Sequence, residues 1–114
     1  MAEKTLFSKI IDREIPADIV FEDEHCIAFR DINPQAPLHV LVVPKNPIPK
    51  LTDASDADAE LLGHLLLKAS EVAHTEGYGE AFRLVINNGS GAGQTVFHVH
   101  IHVLGGRTLS WPPG

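Results

Sequence analysis

Three histidines, His98, His100 and His102, alternate with Val99, Ile101 and Val103 in the run Thr95-Val96-Phe97-His98-Val99-His100-Ile101-His102-Val103. Period-two alternation predicts a strand over 95–103 with one buried face. On that strand the three imidazoles point the same way, about 6.6 Å apart and about 13 Å from first to last. Imidazole serves as nucleophile, acid, base or metal ligand near neutral pH. Just before the strand lies Asn87-Asn88-Gly89-Ser90-Gly91-Ala92-Gly93-Gln94, a glycine- and amide-rich loop whose backbone N–H groups suit an anion. One strand histidine is ordinarily a surface residue; three in strict alternation are not explained by strand propensity.

Metal chemistry competes for the same residues. Two neighbouring same-face imidazoles can share zinc or copper, but the third is too distant to join them unaided. The single cysteine, Cys26, falls in another segment. Phosphate or nucleotide chemistry accounts for the glycine loop as well, and metal binding does not.

A chain of 114 residues makes one domain, 1–114, with a real core. Hydrophobic residues at 44% and charged residues at 21% fit a globular protein. The net charge of −6 argues against a nucleic-acid surface, yet leaves room for a small anion held by local donors. One cysteine cannot close an internal disulfide, which favours a reducing compartment. No apolar signal core opens the chain and no run of about 18 apolar residues occurs, so a cytoplasmic protein without membrane contact is expected.

Leu6, Phe7, Ile10 and Ile11 share a face of a short helix with Thr5 as N-cap, which Pro16 stops. Strands are predicted at 18–22, 25–32 and 38–43, the first two forming a hairpin around Asp23-Glu24-His25. The 38–43 stretch is nearly all apolar, hence central; His39 within it requires a polar partner, and the histidine face is the candidate. Prolines 44, 47 and 49 make a loop. Thr52 or Ser55 opens a long helix whose stripe is Leu61, Leu62, Leu65, Leu66, Ala69, Val72 and Ala73. His64 and His74 on that helix read as surface residues. Gly77-Tyr78-Gly79 ends it, and 81–87 is the fourth strand. The tail Trp111-Pro112-Pro113-Gly114 is irregular, with a tryptophan in need of packing. The fold class is α+β: a five-stranded antiparallel sheet with one long and one short helix.

His98-Val99-His100-Ile101-His102-Val103-Leu104 resembles the signature of the histidine triad (HIT) superfamily. Asp31-Ile32-Asn33-Pro34-Gln35-Ala36-Pro37-Leu38-His39, Leu62-Gly63-His64-Leu65, Gly105-Gly106-Arg107 and Trp111-Pro112-Pro113-Gly114 are similar to its Hint branch of purine nucleoside phosphoramidases. The resemblance spans essentially the whole chain. It implies that His100 attacks the α-phosphorus of an adenosine or guanosine phosphoramidate, or of an aminoacyl adenylate, giving a nucleotidyl-histidine that water hydrolyses. His98, His102 and His39 then orient His100 and stabilise charge. Gly93, Gln94 and Thr95 cradle the phosphate, Asn87 lies near the scissile bond and Asp31 takes the ribose hydroxyls. Phe7, Ile15, Phe29 and Ile32 wall the base. No cofactor and no metal are implied. Read without the resemblance, those four apolar residues are core and Asp31 is a strand-end charge.

Three positions depart from the family pattern: Thr95 is commonly serine, Arg30 often histidine, and Pro47 a histidine in many relatives. The resemblance also implies a homodimer with a continuous ten-stranded sheet and the Trp111 tail near the partner's site. A dinucleoside polyphosphate hydrolase of the same superfamily, a non-catalytic nucleotide-binding module and a metal-binding protein are the competing readings.

Overall fold

The computed structural model describes residues 4–114. Five strands, β1 (Ile19–Glu22), β2 (Cys26–Arg30), β3 (Leu38–Pro44), β4 (Phe82–Val85) and β5 (Ile101–Gly105), form one antiparallel sheet in the order β1-β2-β3-β5-β4. All seven residues of β3 are buried, the pattern of a central strand covered on both sides. The expected five-stranded antiparallel sheet with one long and one short helix is the observed one.

Alternation along β2 divides the core into two layers. Cys26 and Ala28 join Leu38, Val40, Val42, Ile101 and Val103 beneath the long helix α2 (Ala59–Thr75). Ile27 and Phe29 point the other way and pack with Leu41, Val43 and the short helix α1 (Leu6–Ile11). From α2, Leu65, Ala69, Val72 and Ala73 are buried, at the i, i+4, i+7, i+8 spacing that puts one helical stripe on a sheet. Fully burying a side chain such as Leu65 stabilises the fold by about 1.5–3 kcal/mol. Thr5 caps α1, its hydroxyl accepting from the Ser8 amide at 2.9 Å.

Several boundaries differ from those the sequence predicts. The long helix begins at Ala59, because Leu51–Asp53 and Asp56–Asp58 form separate 3₁₀ turns; Asp58 folds back to accept from the Ser55 amide at 2.9 Å. Strand β5 starts at Ile101 rather than Thr95. The preceding segment is diverted when the Val99 amide donates to Ile48 O at 2.6 Å, in the proline loop. His98 and His100 thus lie on an irregular arm ahead of the strand, bent at 96–98. Trp111 remains 80% exposed, with the Arg83 guanidinium 6.0 Å from its ring. Gly106 turns the chain out of β5 at φ +90°, where a Cβ would stand 2.8 Å from Pro37 and 2.9 Å from Tyr78. Among the described residues no helix is long and apolar enough to cross a membrane.

Candidate active site

Strands β3 and β5 bring the first pair of histidines together. The register sets His39 opposite Leu104 and Leu41 opposite His102, so His39 and His102 are diagonal neighbours on one face. Their rings lie 5.2 Å apart, with His39 Nε2 3.0 Å from His102 Nδ1. The backbone fixes which nitrogen holds each proton. The Gln35 amide donates to His39 Nδ1 at 3.0 Å, so the proton of a neutral His39 is on Nε2. His39 Nε2–H therefore donates to His102 Nδ1, which leaves the proton of neutral His102 on Nε2.

The arm ahead of β5 supplies the other two. His98 is 0% exposed. Its Nε2–H donates to Pro44 O at 2.7 Å, and its Nδ1 accepts from the Thr5 hydroxyl at 2.9 Å. His100 Nδ1–H donates to the His98 carbonyl at 2.8 Å, so Nε2 keeps its lone pair. The Phe7 ring meets His100 edge-on at 4.9 Å, and His102 lies 5.0 Å away on the other side.

Burial lowers the pKa of all four rings. For His100 it outweighs the His98 carbonyl and Asp31, and for His39 it outweighs Asp31. For His98 it outweighs the Pro44 carbonyl. His102 falls to about 4 through burial together with the neighbouring His100 and His39. Four neutral rings at neutral pH are what the hydrogen-bond pattern demands.

His100 and His102 open onto a cavity of about 260 Å³. Phe7, Ile10, Phe29 and Leu41 form its floor, Ile15 and Ile32 its apolar rim, and Asp31 and Thr95 its polar edge. Ile32 is 99% exposed, an unusual position for isoleucine unless something packs on it. Asp31 accepts from the Asn33 amide at 2.8 Å through Oδ1, while Oδ2 lies 3.4 Å from His39 Nε2. Arg30, also at the cavity, is paired with Glu76 at 2.5 Å and Asp18 at 3.2 Å. A larger groove of about 660 Å³ runs between residues 77–83 and 106–109. It holds none of the histidines, so the chemistry points to the smaller cavity.

The glycine loop is positioned from within. The amides of Gly93 and Gln94 donate to Ser90 O and Gly89 O at 3.0 and 3.1 Å and are therefore already engaged. The Gln94 side chain, 2% exposed, accepts from the Gly89 amide at 2.8 Å and donates to Pro49 O and Val96 O at 2.7 and 3.1 Å. Gln94 is thus an internal brace, and Thr95 is the loop residue that lines the cavity. Gly93 has φ +96°, and a Cβ there would stand 3.7 Å from Asn87 Nδ2, so Asn87 sits against the loop's last turn.

Of the residues singled out from the sequence, His100, His102, Asp31, Thr95, Phe7, Ile15, Phe29 and Ile32 share the cavity. His39 stands behind His102, and His98 is enclosed behind His100. The three triad rings are therefore not one strand face: His98 supports from the interior. Thr5, Gln35 and the Pro44 carbonyl, which set the ring tautomers, were not among the predicted site residues. The N-cap reading of Thr5 pointed to its position but not to its second bond.

Asp31, His39 and His102 bring possible ligand atoms within 4.8 Å of one another. They do not fit a metal as arranged. The Gln35 amide holds the proton of His39 on Nε2, the nitrogen an ion beside Asp31 and His102 would need.

A family model described as HIT domain matches residues 12–109. An uncharacterized HIT-like protein of Synechocystis is 67% identical over all of both chains. A 14 kDa zinc-binding protein of Zea mays is 50% identical, over 96% of this chain and 88% of its own. The crystal structure of a HIT family hydrolase from Legionella pneumophila superposes with a TM-score of 0.95 at 52% identity, covering 97% of this chain and 100% of that one. A histidine triad nucleotide-binding protein from Candida albicans gives 0.81 at 30%, covering 96% and 83%. A strand-borne His39–His102 pair, a buried His98 and a free His100 nitrogen thus occur in a chain that belongs to the HIT domain family.

Proposed function

We propose that this chain is a metal-independent nucleotide hydrolase of the Hint type. It cleaves the P–N bond of purine nucleoside 5'-phosphoramidates and hydrolyses aminoacyl adenylates. One observation carries the reading: the His98 carbonyl holds the proton of His100 on Nδ1, which leaves a neutral Nε2 lone pair beside a nucleotide-sized cavity. The Legionella and Candida relatives, named as a hydrolase and a nucleotide-binding protein, support it.

In the proposed reaction His100 Nε2 forms a bond to the α-phosphorus while the P–N bond breaks, and the departing amine takes a proton from water. Nδ1–H stays on the His98 carbonyl, which stabilises the cationic nucleotidyl-imidazole. His102 Nε2–H supports the phosphoryl oxygens. Water then attacks phosphorus, releases the nucleoside monophosphate and returns the proton taken up in the first step. Phe7, Phe29, Ile15 and Ile32 hold the base, Asp31 the ribose, and Thr95 with Asn87 the phosphate.

The same reading includes a homodimer. Its support is β4, an edge strand with every residue half-buried, together with Leu66 and Leu67 of α2, 45% and 67% exposed, and the exposed Trp111. Joining β4 to its mate makes a ten-stranded sheet. The acidic net charge and the single buried thiol agree with a cytoplasmic protein that does not bind nucleic acid.

A fluorogenic adenosine phosphoramidate tests the proposal. Turnover by the wild type, its loss in His100→Ala with nucleotide binding retained, and a nucleotidyl adduct seen by mass spectrometry are expected. Binding without turnover in the wild type overturns it in favour of a non-catalytic module. A dinucleoside polyphosphate turned over faster than the phosphoramidate selects the other hydrolase reading.

A further inference from the structure

A second group of ligating side chains lies on the other side of the sheet, where Cys26 and Ala28 face α2. Asp23, in the β1–β2 turn, accepts from the His25 and Cys26 amides at 2.8 Å each through Oδ1. Its other oxygen, Oδ2, lies 2.7 Å from Nε2 of His64. Cys26 is 0% exposed. The ligand atoms of Asp23, Cys26 and His64 fall within 4.8 Å of one another. The His25 ring meets that of His64 edge-on at 5.3 Å. His64, read from the sequence as a surface residue, is instead half-buried in a polar cluster.

We propose that Asp23, Cys26 and His64 bind a thiophilic divalent cation, zinc foremost, which joins the β1–β2 hairpin to α2. The donor set is one sulfur, one imidazole nitrogen and one carboxylate oxygen, the mixture that selects zinc over magnesium or calcium. Bond lengths of about 2.0–2.3 Å place tetrahedral ligands about 3–4 Å apart, so the observed separations need only small side-chain movements. Two backbone amides already fix Asp23 through Oδ1, an outer support that leaves Oδ2, here paired with His64 Nε2, turned toward the other ligand atoms. Without a cation the Asp23–His64 pair ties hairpin to helix, and the Cys26 thiol fills the core and donates to Asp23.

Entry is from solvent, since the Asp23 and His64 side chains are 25% and 29% exposed. Water completes the coordination. On binding, the Cys26 proton leaves to water and the His64 proton moves from Nε2 to Nδ1. Burial and Asp23 push the thiol up to about 12, so the charge of the cation must draw that proton off. Thiolate and carboxylate then balance the two positive charges.

Cobalt(II) titration of the chelator-stripped full chain tests the site, because Cys26 is the only thiol. One equivalent is expected to give a thiolate-to-cobalt charge-transfer band that zinc abolishes by competition. The band should vanish in Cys26→Ser, with folding checked by circular dichroism. It should lose at least tenfold in cobalt affinity in His64→Gln, whose amide can keep a hydrogen bond to Asp23 and whose folding is checked in the same way. It should persist in His102→Ala, which separates it from the triad. Cobalt bound without the band, or a band whose affinity is unchanged in both His64→Gln and Asp23→Asn, overturns the proposal.

Discussion

The Thr5 hydroxyl stands 2.9 Å from Nδ1 of His98, a residue 93 positions later in the chain. The same oxygen accepts from the Ser8 amide and so caps α1. One hydroxyl therefore fixes both a helix start and the ring behind the candidate nucleophile. Removing it takes the nearer donor from His98 Nδ1 in a fully buried place and leaves the Ser8 hydroxyl, 3.5 Å away, to serve instead.

Thr5→Val is accordingly expected to destabilise the chain by about 1–2 kcal/mol, combining a lost cap with a weakened hydrogen bond to a buried acceptor. Thr5→Ser should recover most of this. Urea unfolding at neutral pH measures both, and equal stability of Thr5→Val and the wild type contradicts the coupling.

The pairing of His39 with the histidine face was legible because a polar residue on an all-apolar strand must find a partner. The sheet followed from alternation in β2 and the uninterrupted apolar run of β3. What sequence reading overextended was β5. Period two continues through His98, but the Val99 amide is taken by Ile48 O in the proline loop, a tertiary contact that no local pattern reveals. Ring tautomers were hidden for the same reason, since Gln35 and Pro44 set them with backbone atoms.

Activity should follow the protonation of His100 Nε2. Only the neutral ring attacks, and burial holds its pKa below the ordinary histidine value of 6.5. The rate therefore falls as pH drops, with the acid limb of kcat/KM lying below 6.5. A midpoint at or above 6.5 contradicts a buried, neutral His100. His102→Ala, which removes the Nε2–H beside the phosphoryl group, should lower kcat on the order of 10²–10⁴-fold.

Stability should also rise with pH across the acid range. His102 titrates near 6.5 when unfolded and at about 4 when folded, so between these values the unfolded chain binds more protons. Its contribution is complete above 6.5 and lost as pH falls toward 4. Discounted for partial exposure, the loss is on the order of 2 kcal/mol. Chemical denaturation at pH 7 and pH 4.5 measures it. His102→Gln should flatten the dependence by that amount; an unchanged slope shows that His102 is not the group.

Gln94 gives the sharpest contrast between bracing and binding. Its side chain satisfies the Gly89 amide and the carbonyls of Pro49 and Val96 from a site that is 2% exposed. Gln94→Ala leaves three backbone groups short of partners and should cost about 2–4 kcal/mol, each unsatisfied buried group contributing about 1 kcal/mol or more. A residue that only touched ligand would leave stability unchanged. Because the loop presents Thr95 to the cavity, the same change should raise KM for the nucleotide more than it lowers kcat, through loosened placement of Thr95. Thermal unfolding and steady-state kinetics on one preparation separate the two effects. A Gln94→Ala chain as stable as the wild type but weaker in binding would make Gln94 a direct ligand contact instead of a brace.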